Sequence, residues 1–183
     1  MKITNYLILF SILAFTIISC SKKSDPAPIV IQPALGLSYE GGIIFYLDNT
    51  SNHGLIAATA DAPFSTEWGC EGTLCGAAGS STGTGAQNTN AIINLCDSTG
   101  IAAQLCKSSA SGGYNDWFLP SKDELNLIYT NLYSKSLGGF AASFYWSSTE
   151  SDANNGWYQF LGNGFQDKYG KSYQFHVRPV RAF

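Results

Sequence analysis

Thiols, carboxylates and a late run of cations hold most of the chemistry that this 183-residue sequence offers. In WGCEGTLCG, Cys70 and Cys75 enclose four residues, and Cys96 and Cys106 follow in the next segment. Four such thiols suit a metal site, a redox pair or a structural staple. Zinc sites favour C-x-x-C spacing, and only His53 and His176 are present to add nitrogen ligands. The local spacing does not choose among the three readings, but the compartment does.

The chain opens MKITNYLILFSILAFTIISCSKKSD. Lys2 precedes an apolar run from Tyr6 to Ile18, shorter than the ~20 residues that span a bilayer as a helix. A charged start, a short apolar stretch and small residues at its end describe an export signal. IISC resembles a bacterial lipobox. On that resemblance residues 1–19 are the signal, and Cys20 becomes the first residue and carries several acyl chains, enough for stable anchoring. The alternative is an ordinary signal peptide with an incidental cysteine. Residues 20–38 form a tether in which Pro26, Pro28 and Pro33 favour extended chain. At ~3.1 Å per residue it reaches about 50 Å, with Lys22 and Lys23 placed to meet anionic headgroups. The expected location is the bacterial cell envelope, lipid-anchored, on the outer membrane.

Export implies oxidised thiols, and setting Cys20 aside leaves an even four. Of the three pairings, Cys70–Cys75 and Cys96–Cys106 are expected because each closes a short local loop. Each contributes about 2–3 kcal/mol in the loop-entropy account.

Oxygen ligands at Glu150, Asp152 and Asn154 in ESDANNG suit calcium, the one cofactor the sequence suggests. The stretch falls short of an EF-hand, and a solvated hairpin turn is the competing reading. Asp116, Asp123, Glu124 and Glu150 include candidates for an acid/base pair of the glycosidase kind. Glu124 and Asp123 are also explained by helix capping and the helix dipole. Neither G-x-S-x-G nor H-E-x-x-H occurs. Lys168, Lys171, Arg178 and Arg181 cluster late, with His176 among them. They form either a basic patch or internal partners for carboxylates. Trp68 and Trp157, beside a long loop and a turn, are candidates for stacking on sugars. Trp117 and Trp146 read as core.

These groups must be held by one domain, expected over residues 39–183. It has seven Lys/Arg against twelve Asp/Glu, a formal charge of −5, which argues against nucleic acid as a partner. GGIIFYLD (41–48) and GLIAATAD (54–61) read as a hairpin. Residues 70–90 are a long loop rich in Gly, Ser and Thr, and 90–107 hold two short helical pieces. Ser121 with Glu124 makes a capping box, and Leu125, Ile128, Tyr129 and Leu132 give one apolar helix face running to about Tyr133. FYWSSTE (144–150), GWYQFLG (156–162) and YQFHVRPVRAF (173–183) read as strands, with Asn155–Gly156 as a hairpin turn.

Seven strings in order, YEGGIIFYLD, GLIAA, TGTGAQNTNAI, AAQLC, GGYNDWFLPSKDEL, YWSSTE and VRPVRAF, resemble the Lcl C-terminal-domain family, named after a collagen-like adhesin of Legionella. The resemblance implies an α+β fold of the C-type-lectin-like or formylglycine-generating-enzyme-like kind: a twisted, mostly antiparallel sheet with one or two helices and long loops. It also implies an exported surface domain. The adhesin domain binds sulfated polysaccharide and matrix and forms trimers, so a polysaccharide or matrix partner and an oligomer are expectations here. Formylglycine-generating chemistry uses a late cysteine pair, and no cysteine follows Cys106. The calcium-lectin triplets E-P-N and Q-P-D are absent as well. The expected function is therefore non-enzymatic ligand binding at the envelope. A structural or assembly role in the envelope is the alternative, and a carbohydrate-active enzyme is a more distant one.

Overall fold

GIIFYL and GLIAA, rich in β-branched and aromatic residues, pair as an antiparallel hairpin. The computed structural model describes residues 32–183, so the expected signal segment and Cys20 lie outside the described residues. Strand β1 (Ser38–Tyr39) pairs with β2 (Gly42–Leu47), and β2 pairs with β3 (Gly54–Ala58). The turn between β2 and β3 is tied by Asp48, whose Oδ1 accepts from the Thr50 amide at 2.9 Å. Upstream of β1, the amide of Gly36 donates to the Ile44 carbonyl at 2.8 Å.

Past β3, the chain makes β4 (Thr66–Glu67), crosses a long loop, and enters α1 (Gly85–Leu95) and α2 (Ala102–Lys107). Helix α3 (Lys122–Asn131) is the expected one. The Ser121 hydroxyl accepts from the Glu124 amide at 3.3 Å, and the Glu124 carboxylate accepts from the Ser121 amide at 2.8 Å. It stops two residues earlier than its apolar spacing predicts and passes into a 3-10 turn, Tyr133–Lys135.

The remaining strands are β5 (Phe144–Glu150), β6 (Asn155–Phe160), β7 (Phe165–Gly170), β8 (Gln174–Phe175) and β9 (Val180–Ala182). They make three sheets in the order β1-β2-β3-β9, β4-β8 and β5-β6-β7, with every strand pairing antiparallel. The fold is α+β with several antiparallel sheets and few helices, as the sequence led us to expect.

Four local expectations change. The long loop expected over 70–90 is shorter, since α1 begins at Gly85 within it. The last eleven residues are not one strand: β8 and β9 belong to different sheets, so Pro179 and its neighbours carry the chain between them. The turn after β5 is not at Asn155–Gly156. Asp152 Oδ1 accepts from the amides of Asn154 and Asn155 at 2.9 and 3.0 Å, which moves the turn upstream and places Asn155 in β6. Gly156 then lies under an indole, where a Cβ would come within 2.7 Å of Trp68 Cδ1. Strand β7 was not anticipated at all.

Strand β5 divides the core. On one side Trp68, Ile92, Ala102, Cys106, Trp146 and Val177 pack together. On the other, Phe45, Leu55, Leu125, Ile128, Tyr145, Leu161 and Val180 join α3 to the first sheet. Trp117 sits with Ile44 and Ile56. Trp117 and Trp146 are fully buried, as expected of core residues.

Candidate functional site

The late cations are structural. Lys171 is buried beside Glu150, with Nζ 2.7 Å from Oε1 and 2.8 Å from the Thr73 carbonyl. It lies 4.5 Å from the Trp68 ring centroid. Glu150 also accepts from the amides of Cys75 and Gly76 at 2.8 and 2.9 Å. A buried ion pair is tolerated when the remaining hydrogen-bonding capacity is filled, and here it fastens the long loop to the end of β5.

Arg178 forms a second knot. Nε donates to Asp61 Oδ1 at 2.6 Å, and the terminal nitrogens reach the carbonyls of Ala58, Gly138 and Gly139. Its guanidinium lies 3.8 Å from the Phe140 ring centroid. The Tyr145 hydroxyl donates to Asp61 Oδ2 at 2.8 Å. Burial, helped by the neighbouring Asp61 charge, pushes that phenol well above its ordinary value. His176 Nδ1 is 3.5 Å from the same carboxylate.

Arg181 makes the third. It holds Asp116 bidentately at 2.7 and 3.1 Å, reaches Glu40 Oε2 at 3.1 Å, and lies over Tyr114. Of the four expected patch cations, only Lys168 is exposed. The basic patch does not form, because carboxylates on other elements take up its charges.

The thiol pairing differs from the expected one. Cys70 and Cys96 are joined, with 26 residues of separation and Cα atoms 5.5 Å apart. Cys96 caps α1, and that bridge ties the helix end to the start of the long loop. Cys75 and Cys106 are free and buried. Burial raises both thiols above their ordinary value. Sequence proximity favoured Cys75 for Cys70, but the backbone of Cys75 is held inward by Glu150 and its side chain joins the core.

At ESDANNG two of the three expected calcium ligands, Glu150 and Asp152, are engaged within the protein. Both Glu150 oxygens are committed to Lys171 and to amides, while Asp152 faces the amides of Asn154 and Asn155 and the side chain of Asn155. Among the described residues no three His, Cys, Asp or Glu side chains gather as a metal-binding group. The expected sugar-stacking tryptophans are also occupied. Trp68 is fully buried and donates to the Ser147 carbonyl at 2.9 Å. Trp157 is half-buried, with Lys122 Nζ 3.9 Å from its ring centroid.

What remains open is part of a sheet face whose inner portion is core, where Trp146 is buried beside Phe175 and Tyr158 at 4.4 and 6.5 Å between centroids. In β5-β6-β7 the register sets Phe144 opposite Phe160 and Phe160 opposite Phe165. Side chains alternate along a strand, so Phe144, Tyr158, Phe160, Phe165, Asp167 and Tyr169 share one side of this sheet. Phe175 from β8 lies against that side, 5.3 Å from Phe144, 5.8 Å from Tyr169 and 5.2 Å from Tyr158 between centroids. Phe160 to Phe144 is 4.9 Å, and Tyr169 to Tyr173 is 4.4 Å. The result is a continuous row, Phe160, Phe144, Phe175, Tyr169, Tyr173. Phe144, Phe165, Tyr169 and Tyr173 are 41%, 54%, 42% and 54% exposed, unusual for large aromatic side chains that have a core available to them.

Sequence reasoning missed these residues. The available signal was 25 aromatic side chains in a chain of this size, more than one core needs, and a Phe and a Tyr four apart in FQDKYG.

No curated protein matches the chain at a significant level. Residues 59–181 match the Lcl C-terminal domain, covering α1 to α3, β4 to β8 and most of β9. The ion-paired Asp61 and Arg178, the capping box and the whole aromatic sheet fall inside that match. The chain belongs to the Lcl C-terminal domain family.

Proposed function

We propose that residues 32–183 are the ligand-binding domain of a lipid-anchored envelope protein, and that the domain is not an enzyme. The observation that carries this reading is the exposed aromatic row of β5-β6-β7. Membership of the Lcl C-terminal domain family suggests an adhesin-like, surface-associated protein and supports the same direction. Among the described residues no helix is long and apolar enough to cross a membrane. The anchor in this reading is the acylated Cys20.

The non-enzymatic part rests on how the reactive groups are used. Glu124 accepts from the amides of Ser121, Gly83 and Gly85, tying α3 to the start of α1. Asp61 is occupied by Arg178 and Tyr145, and Glu150 by Lys171. General acid–base catalysis needs a titratable group within reach of substrate.

The test is an array of polysaccharides and matrix proteins probed with the full chain and with a Tyr169→Ala/Tyr173→Ala variant. Saturable binding that the variant loses supports the reading. A blank array favours an assembly component whose contacts are with other envelope proteins.

A further inference from the structure

We infer that the aromatic row takes an uncharged oligosaccharide, held by stacking of sugar C–H faces on the rings, and not a sulfated or otherwise anionic chain. This rests on the ligand-binding reading above and names the chemical class of its ligand.

Charge is the first argument. Asp167 projects from the same side of the sheet, directly opposite Tyr158 in the register. Its nearness, after burial, raises the Tyr158 phenol above its ordinary value. A carboxylate within the row repels an anionic chain and accepts hydrogen bonds from sugar hydroxyls. Three late cations are engaged by carboxylates elsewhere: Lys171 with Glu150, Arg178 with Asp61, Arg181 with Asp116 and Glu40; Lys107, Lys122 and Lys135 belong to α2, α3 and the 3-10 turn, not to this sheet. Lys168 alternates to the opposite side of β7, the side of Trp157, its register partner.

The second argument is the composition of the face. Its exposed large side chains are aromatic, with Tyr hydroxyls at the end formed by Tyr169 and Tyr173. Rings with electron-rich faces and hydroxyl rims match the alternation of C–H and O–H surface on a pyranose. Five rings in sequence accommodate more than one sugar unit.

A strand of another protein chain is the competing occupant of this region. Strand β7 is a sheet edge, and exposed edges recruit strands from other chains. Here the Lys168 amide, which points away from β6, donates to Asp167 Oδ1 at 2.8 Å. That carboxylate occupies an edge donor that strand addition would use, so the edge is blunted there while the ring row stays open.

The probes are cellohexaose and chitohexaose as uncharged chains, and heparin and dextran sulfate as anionic ones, each titrated into the full chain. One or both neutral hexaoses should bind with an affinity changing less than about twofold between low and high salt, since little charge is neutralised. Tyr169→Ala/Tyr173→Ala should weaken that binding by at least roughly tenfold. Both residues are exposed, and an unchanged melting temperature shows that the fold is kept. Binding confined to the sulfated chains, falling steeply with salt, overturns the inference while leaving the ligand-binding reading intact. No binding of either class, with self-association in sedimentation that the same variant abolishes, overturns both and assigns the face to a second copy.

Discussion

At the residue scale, the polar side chains that sequence reading offered as chemistry are mostly structural fasteners. Glu124 is the clearest. Its two oxygens serve amides at the starts of both α1 and α3, and a Cβ on Gly85 would collide with Oε2. Glu124→Gln turns an amide nitrogen toward N–H donors and should cost about 1–3 kcal/mol, measured from the denaturation midpoint. Lys171→Met strands the Glu150 charge in the core and should cost about 3–5 kcal/mol, larger than the first variant by the same measurement. Acid sensitivity has a sign that can be assigned. Hydrogen bonding to Arg181 holds the Asp116 carboxyl below its ordinary 3.8. Its stabilising contribution is therefore present above that value and is lost as pH falls toward the folded-state value. Asp116→Asn should flatten the low-pH limb of a stability profile. Glu124 has the opposite sign: burial raises its carboxyl, so its contribution is present at low pH and declines as pH rises through the folded value.

At the element scale, what could be read in advance was what local chemistry decides. The Ser121–Glu124 box and the β2–β3 hairpin are written within a few neighbouring residues. The core placement of Trp117 and Trp146 followed from their apolar surroundings. The failures all depend on contacts distant in sequence. Strand β7 alternates Phe, Gln, Asp, Lys and Tyr and is exposed along most of its length; its pairing with β6 makes it a strand, not an apolar signal of its own. The turn shifted to Ser151–Asn154 because Asp152 supplies an Asx-type contact there, outcompeting an Asn-Gly pair. The disulfide followed the packing of α1 against the loop, not the shortest closure. Reduction of Cys70–Cys96 should therefore lower stability by about 3.5 kcal/mol in the loop-entropy account. Peptide mapping without reductant should show that link alone, with Cys75 and Cys106 alkylated only after unfolding. A Cys70–Cys75 peptide would contradict it.

At the scale of the whole molecule, an acidic domain has turned Lys171, Arg178 and Arg181 inward and several of its aromatics outward. Most of the candidate site was illegible beforehand because exposure is a tertiary property. Nothing local distinguishes Trp68, which is covered by the long loop, from Tyr173, which is not. The anchoring half of the proposal has its own check: Cys20→Ala should release the protein from the membrane fraction with the same melting behaviour. The most direct test of the central claim compares two variants of the full chain on the same glycan and matrix array, Tyr169→Ala/Tyr173→Ala and Lys168→Ala. The account predicts that the aromatic variant loses binding while the Lys168 variant keeps it. Binding that survives loss of both tyrosines and disappears with Lys168 would contradict it.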